Sequence, residues 1–74
     1  MTPFEHSARS FRLKAAASLQ RLPALEAAAN ESFTIANREA LAREAKHYWR
    51  MIREAEDYEA LARLAAESRA QRNR

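Results

Sequence analysis

The stretch REALAREAKHYWRMIREAEDYEALARLAAESRA, residues 38–70, contains neither proline nor glycine and decides the fold. Most of its residues are alanine, leucine, arginine and glutamate, which have the highest helix propensities. Oppositely charged residues recur four positions apart, a spacing that brings side chains together on one side of a helix. These pairs are Glu39 with Arg43, Arg50 with Glu54, Arg53 with Asp57, Glu59 with Arg63, and Arg63 with Glu67. We therefore predict one long helix over about 37–70, with the charge pairs on its solvent-exposed side.

The composition of the whole chain predicts an all-α protein. The 74 residues include eighteen alanines and no glycine, and the absence of cysteine excludes disulfides and thiolate chemistry. Arginine outnumbers lysine by eleven to two, which is typical of GC-rich coding sequences, so we expect a bacterial or phage gene. A chain this short buries only about 60% of its unfolded surface, and we therefore expect dimerisation to complete the fold.

A second helix is predicted at the N-terminus. Thr2 is placed to act as the N-cap, Pro3 occupies the first helical position, and Glu5 completes a capping box. Apolar residues then recur in steps of four and three, the pattern of a helix that packs along another helix. They are Phe4, Ala8, Phe11, Ala15, Leu19 and Leu22. Pro23 lacks a backbone donor and disfavours helical geometry in the preceding residue, so we predict this helix over about 3–21.

Between the two helices we predict a short helix and a connector. The segment ALEAAAN predicts a helix over about 24–29 that ends near Asn30, a residue that tolerates the left-handed conformation. In the connector, Phe33 and Ile35 are predicted to be buried anchors. We place the start of the long helix after Asn37. The other residues suited to cap it are Thr34 and Ser32.

A stripe on the long helix matches the stripe on the first. With residues placed about 100° apart, this predicted packing face consists of Leu41, Ala45, Tyr48, Ile52 and Ala55, with Met51 at its edge. Two such stripes joined by a connector predict an antiparallel helical hairpin, or a small three-helix unit if the short helix closes one end. We predict a single helical domain over residues 1–70, followed by a frayed basic tail at 71–74.

The apolar residues beyond Asp57 point more than 90° away from Leu41 and Ile52 when the helix is drawn straight. Either the helix bends near Glu56–Asp57 or this second set packs on another chain. A first helix of about twenty residues spans only about 30 Å, which favours another chain. Trp49 lies about 100° from Tyr48, either on the flank of the hairpin or in the same interface.

We therefore predict a partner-binding surface formed by Trp49, Tyr58, Leu61, Leu64 and Ala65. Tryptophan and tyrosine are common anchors of protein interfaces. We expect a homodimer first and a foreign protein partner second.

The sequence predicts a non-enzymatic protein. Glu44 and His47 have the E-x-x-H spacing found in di-iron bundles, but the residues expected to face them, Lys14, Ala15 and Ala17, supply no metal ligand. The serines lack a glycine-rich turn that would present donors to an oxyanion. We expect no cofactor, metal or small-molecule substrate, and we predict a protein interaction module of the regulator, inhibitor or adaptor type.

Nucleic-acid binding is the alternative function. Residues 1–62 carry nine basic and nine acidic side chains, so the net charge of +3 arises in the last twelve residues. The basic residues there are Arg63, Arg69, Arg72 and Arg74. Arginines hold phosphates, but sequence specificity needs an element that reads bases, and a helix-turn-helix over 37–56 would lack the usual glycine-containing turn.

The sequence also bears on the cellular compartment. No stretch reaches the roughly 18 apolar residues of a membrane span, and the N-terminus lacks the apolar core of a signal peptide. We therefore expect a cytoplasmic protein that does not bind membranes.

Overall fold

The fold consists of two long helices joined by a three-residue connection. The computed structural model describes residues 2–72, in which α1 spans Pro3–Glu31 and α2 spans Ile35–Arg72. The helices pack along each other in opposite directions, and the hairpin measures 62 × 15 × 13 Å. The all-α prediction is confirmed.

The start of α1 follows the capping pattern seen in the sequence. Thr2 has an extended backbone, and its Oγ1 accepts a hydrogen bond of 3.2 Å from the backbone N–H of Glu5. Pro3 occupies the first helical position, where its missing N–H leaves no intrahelical bond unmade. The N-terminal boundary of the predicted helix is therefore correct.

The predicted break at Pro23 is wrong, and with it the short helix over 24–29. Pro23 lies inside α1, which continues to Glu31, so the chain forms two helices and not three. Pro23 and Leu19 are both exposed, which leaves the Leu19 carbonyl next to water, where it can find a replacement donor. The helix beyond the proline is held by Leu25, which is half-buried, and by Ala29, which is buried.

The predicted start of α2 is also corrected. The cap is Thr34, whose Oγ1 accepts a hydrogen bond of 3.1 Å from the backbone N–H of Asn37. Asn37 is the third residue of the helix, and its amide donates to the carbonyls of Ser32 and Ala28, at 2.9 and 3.3 Å. Asn37 therefore closes the connection from inside α2 and does not cap it.

The two large apolar residues at this end of the hairpin are not anchors. Phe33 and Ile35, predicted to be buried, are both exposed. The connection at this end is held instead by the hydrogen bonds of Asn37, which need no buried apolar side chain beside them.

The buried residues of the seam between the helices are mainly small. Ala8, Ala15 and Ser18 of α1 and Met51 and Ala55 of α2 are buried. Both helices follow steps of four and three along the whole seam, the repeat of a coiled coil. The seam positions are 4, 8, 11, 15, 18, 22, 25 and 29 in α1 and 44, 48, 51, 55, 58, 62 and 65 in α2. Small side chains at these positions allow close approach of the two helices.

The seam of α2 is rotated relative to its predicted face. Leu41, Ala45 and Ile52, predicted to lie at the centre of the contact, are only half-buried. Met51, predicted at the edge, is buried and central. Part of the apolar stripe of α2 therefore remains beside the seam, in contact with water.

The ion pairs join the two helices and do not run along α2. Within residues 2–72, the pairs with a nitrogen–oxygen distance of 4.0 Å or less are Arg12 with Glu59 and Arg21 with Glu44. None of the predicted pairs four positions apart meets this distance, and Glu59 contacts α1 instead of Arg63. Exposed ion pairs four positions apart on a helix contribute only about 0.3–0.5 kcal/mol to stability. A side chain such as Glu59 can therefore bind a residue of the other helix instead.

No helix within residues 2–72 combines the length and the apolar character that crossing a membrane requires.

Candidate interaction surface

The predicted partner-binding residues do not form one surface, and Tyr58 is the clearest case. Its ring stacks on Phe11, with centroids 5.7 Å apart and planes at 9°, and lies 6.5 Å from the ring of Phe4. Tyr58 is half-buried in the seam. It therefore contributes to the fold of the hairpin.

The premise that placed Tyr58 in an interface is wrong. Because Pro23 does not end α1, this helix has 29 residues and a length of about 44 Å. Its first turns reach the distal part of α2, where Glu5, Ala8 and Arg9 line a shallow cleft together with Ala62 and Ala66. The helix α2 is also continuous through Glu56–Asp57, where a bend was one of the two alternatives.

The other predicted residues differ in position and exposure. Trp49 and Leu64 are 65% and 62% exposed, Leu61 is also exposed, and Ala65 is half-buried. Leu61 follows Trp49 by twelve residues, which corresponds to about 18 Å along the helix and about 120° around it. Trp49 and Leu61 therefore face different sides of α2, and Leu64, fifteen residues after Trp49, lies between them in direction and about 22 Å along the helix from Trp49.

A different apolar surface includes Trp49, and the ion pair between Arg12 and Glu59 shows where it lies. This pair bridges the helices on one side of the hairpin, through two hydrogen bonds of 2.8 and 3.0 Å. Residues in steps of four and three from Arg12 and Glu59 continue along the same side. On α1 these are Ala16, Leu19 and Pro23, and on α2 they are Leu41, Ala45, Tyr48 and Ile52.

We call these seven residues, together with Trp49, the uncharged face. The ring of Trp49 lies edge-on to the ring of Tyr48, with centroids 5.0 Å apart, and extends the face outward. Leu19 is 51% exposed, and the other two members on α1 and Trp49 are also exposed. The four remaining members on α2 are half-buried at the edge of the seam. None carries a charge over the roughly 16 Å between Leu41 and Ile52.

Charged residues border the uncharged face at both ends. Arg12 and Glu59 form the border toward the chain termini. Glu26 and Arg38 continue the two rows toward the connection between the helices. Glu56 lies one turn beyond Ile52 and lines a shallow cleft with it, so the border toward the termini carries two acidic side chains and one basic, and the other border carries one of each.

The sequence contained the signal for this face, but its two halves were assigned elsewhere. Leu19 was counted among the seam residues of α1, and Leu41, Ala45 and Ile52 among those of α2. The seam instead uses Ser18 and Glu44, polar residues that no hydrophobic pattern selects. The row from Ala16 to Pro23 was missed because Pro23 was expected to end the helix.

Glu44 forms a polar cluster inside the seam. Its carboxylate accepts a hydrogen bond of 2.7 Å from Ser18 Oγ, and Arg21 donates to both carboxylate oxygens. The hydrogen bonds from Arg21 and then Ser18 lower the pKa of Glu44 from 4.5 to about 2. The hydrogen bonds from Arg12 lower the pKa of Glu59 in the same way.

The arrangement of Glu44 bears on the E-x-x-H pair. Arg21 and Ser18 already engage both oxygens of the carboxylate, which leaves it poorly suited as a ligand beside His47. Within residues 2–72 no group of three or more histidine, cysteine, aspartate or glutamate side chains is arranged to hold a metal ion.

The arginines of the alternative function lie near the open end of the hairpin. Arg63 lines the cleft beside Arg9 and Arg12. Arg69 and Arg72 lie in the last turn of α2, where Arg72 donates to Ser68 Oγ at 3.4 Å. Arg74 and the end of the predicted tail lie outside the described residues.

Comparison with known proteins finds no match to a family model, a curated protein or a solved structure.

Proposed function

We propose that this chain is a protein interaction module that associates with a second copy of itself through the uncharged face. Two hairpins would bury these faces against each other and form a four-helix assembly. The observation that carries the proposal is the position of Leu19, Tyr48, Trp49 and Ile52, which adjoin one another on one side of the hairpin with no charge between them. An uncharged surface that spans two helices is typical of a contact site.

The exposed surface of the hairpin supports association. The chain exposes 5868 Å², whereas a compact protein of 8.5 kDa is expected to expose about 4,700 Å². The excess of about 1,200 Å² exceeds the roughly 800 Å² that each partner buries in an interface of standard size. A dimer would therefore bring the hairpin close to the burial of an ordinary small domain.

The charges at the borders favour a copy of the same chain as the partner. In a two-fold dimer the same patch is used by both copies, so the charged borders of one copy meet those of the other. Both borders carry acidic and basic side chains, and the excess is at most one acidic residue, so no large excess of like charge accumulates at either end. Trp49 and Tyr48 supply the aromatic anchors that such interfaces commonly use.

Light scattering during gel filtration tests this proposal through two leucines of α1. Leu19 lies on the uncharged face, whereas Leu13 is 65% exposed and points away from α2. At about 100 µM the unmodified chain should have twice the mass of 8.5 kDa. Leu19→Glu places a charge in the interface and should yield the monomer mass, while Leu13→Glu should leave the dimer intact.

Either of two results would contradict the proposal. The first is that the unmodified chain runs as a monomer at this concentration. The second is that Leu19→Glu and Leu13→Glu lower the dimer fraction equally. Both substituted leucines are exposed, and circular dichroism should show the same helicity for both variants.

A further inference from the structure

A side of α2 outside the seam carries a row of cations. Arg43, Lys46, Arg50 and Arg53 follow one another in steps of three, four and three, which places them on one side of the helix. All four are exposed, and they extend over about 15 Å of the helix axis. We call these four residues the basic stripe.

None of the four cations of the basic stripe forms a close ion pair within residues 2–72. No carboxylate oxygen of this part of the chain lies within 4.0 Å of any of them, because the ion pairs there involve Arg12 and Arg21. Glu44 is the only acidic residue between positions 40 and 53, and its carboxylate is engaged by Ser18 and Arg21. The other nearby carboxylates lie beyond the two ends of the stripe: Glu39 at one end, and Glu54, Glu56 and Asp57 at the other.

Three cations of the basic stripe border a shallow cleft. The cleft has a volume of about 520 Å³ and is lined by Leu25 of α1 and by Ala40, Arg43, Glu44, Lys46, His47 and Arg50 of α2. The stripe lies outside the seam, and all four of its side chains are exposed. None of its residues belongs to the uncharged face, although Trp49 of that face adjoins Lys46, Arg50 and Arg53.

We propose that the basic stripe binds the phosphate backbone of double-stranded DNA without sequence specificity. Duplex DNA carries about one phosphate charge per 1.7 Å of axis, so 15 Å of duplex offers about nine phosphates to four cations. A helix is about 10–12 Å across and fits the major groove of B-form DNA, which is about 12 Å wide. The deep, narrow major groove of an RNA duplex does not admit a helix, which favours DNA.

A lipid surface fits the same charges less well. An interfacial helix must insert an apolar face that lies beside its cations. Here the large apolar side chains of the uncharged face are directed to a different flank of the hairpin, and only Trp49 adjoins Lys46, Arg50 and Arg53. Acidic vesicles therefore serve as a comparison in the test.

Fluorescence anisotropy with a labelled duplex of about 24 base pairs and random sequence tests the proposal between about 20 and 200 mM salt. The logarithm of affinity should fall with the logarithm of salt with a slope of about −3 to −4, as expected for four phosphate contacts. Substituting Arg43, Lys46, Arg50 and Arg53 together by glutamine should lower affinity at least tenfold at 50 mM salt and flatten the slope. Glutamine is a good helix former, so circular dichroism should show unchanged helicity.

The matched control removes four charges elsewhere. Substituting Arg63, Arg69, Arg72 and Arg74 by glutamine changes the net charge by the same amount and should leave affinity within about threefold of the unmodified chain. The proposal is overturned if the unmodified chain does not bind the duplex at 20 mM salt, or if the control loses as much affinity as the stripe variant. It is also overturned if vesicles of phosphatidylcholine and phosphatidylserine at about 2:1 bind as tightly as DNA.

Discussion

Ser18, Arg21 and Glu44 form a polar cluster within an otherwise apolar seam. Ser18 is fully buried, and its hydroxyl donates to the Glu44 carboxylate, so neither group is left without a partner. A polar residue at a seam position favours one alignment of two helices, because every other alignment leaves it unpaired. In a shift by one heptad, Glu44 would face Phe11 or Leu25 in place of Ser18. We infer that this cluster fixes the register of the hairpin.

The lowered pKa of Glu44 predicts a loss of stability in acid. A carboxylate whose pKa is lower in the folded state stabilises the fold fully above its ordinary value of 4.5, and this contribution disappears as the pH falls toward about 2. The midpoint temperature of thermal unfolding should therefore decrease as the pH is lowered from 4.5 to about 2. In Glu44→Gln this decrease in midpoint temperature should be smaller. The decrease that remains comes from Glu59, whose pKa is also lowered.

The control for this titration is Glu39→Gln. Glu39 is exposed, and within the described residues no cation lies within 4.0 Å of its carboxylate. Calorimetry across this pH range should give the same profile for the control and the unmodified chain. A Glu44→Gln profile that also matches the unmodified chain would show that the cluster does not stabilise the fold.

At the scale of the element, α1 shows where a local rule gives way to packing. A proline inside a helix costs about 3 kcal/mol, and the sequence alone predicts an end at that point. The repeat of seam residues continues through it, with Leu22 and Leu25 half-buried on either side. Packing against α2 over this whole length holds the helix together, and no short-range pattern in the sequence contains that information.

Replacing the proline should therefore stabilise the protein. Pro23→Ala restores a hydrogen bond from residue 23 to the Leu19 carbonyl and should raise the free energy of unfolding by about 1–3 kcal/mol. Pro3→Ala is the matched control, since a proline at the first helical position costs nothing and its replacement should change stability little. Urea denaturation measures both. Equal effects of the two substitutions would contradict the explanation given for Pro23.

The rotated seam of α2 has a physical cause that the sequence shows only in part. The caps, the antiparallel pairing and the seam of α1 near Ala8 and Ala15 follow from residue patterns. A helical wheel drawn for a straight helix, however, uses about 100° per residue. Relative to helices that supercoil around each other, the directions it assigns are in error by about 20° per heptad. From Leu41 to Tyr58 this error amounts to about 50°. The wheel therefore places Tyr58 outside the packing face, although Tyr58 lies in the seam.

Side-chain size explains the rest of that difference. The buried seam residues Ala8, Ala15, Ser18 and Ala55 are small, so the helices approach where they occur together and not where the largest apolar residues lie. Leu41, Tyr48 and Ile52 are left at the border of this contact. The same close approach that excludes them from the centre of the seam produces the uncharged face.

At the scale of the molecule, a pair of helices has little interior. The hairpin is only 15 × 13 Å in cross-section, and most of its large apolar side chains remain in contact with water. Burial of the uncharged face in a dimer would convert two thin hairpins into a four-helix assembly with a shared core. Self-association and the proposed DNA binding would use different residues of α2, and the two surfaces meet at Trp49.

Fluorescence of Trp49 is the most direct measurement of this association, because Trp49 is the only tryptophan and belongs to the uncharged face. As the concentration rises from about 1 to 100 µM, its emission maximum should shift to shorter wavelength as the ring leaves water. Leu19→Glu should abolish the shift, and Leu13→Glu should retain it. An emission maximum that stays constant for the unmodified chain over this range would contradict self-association through this face.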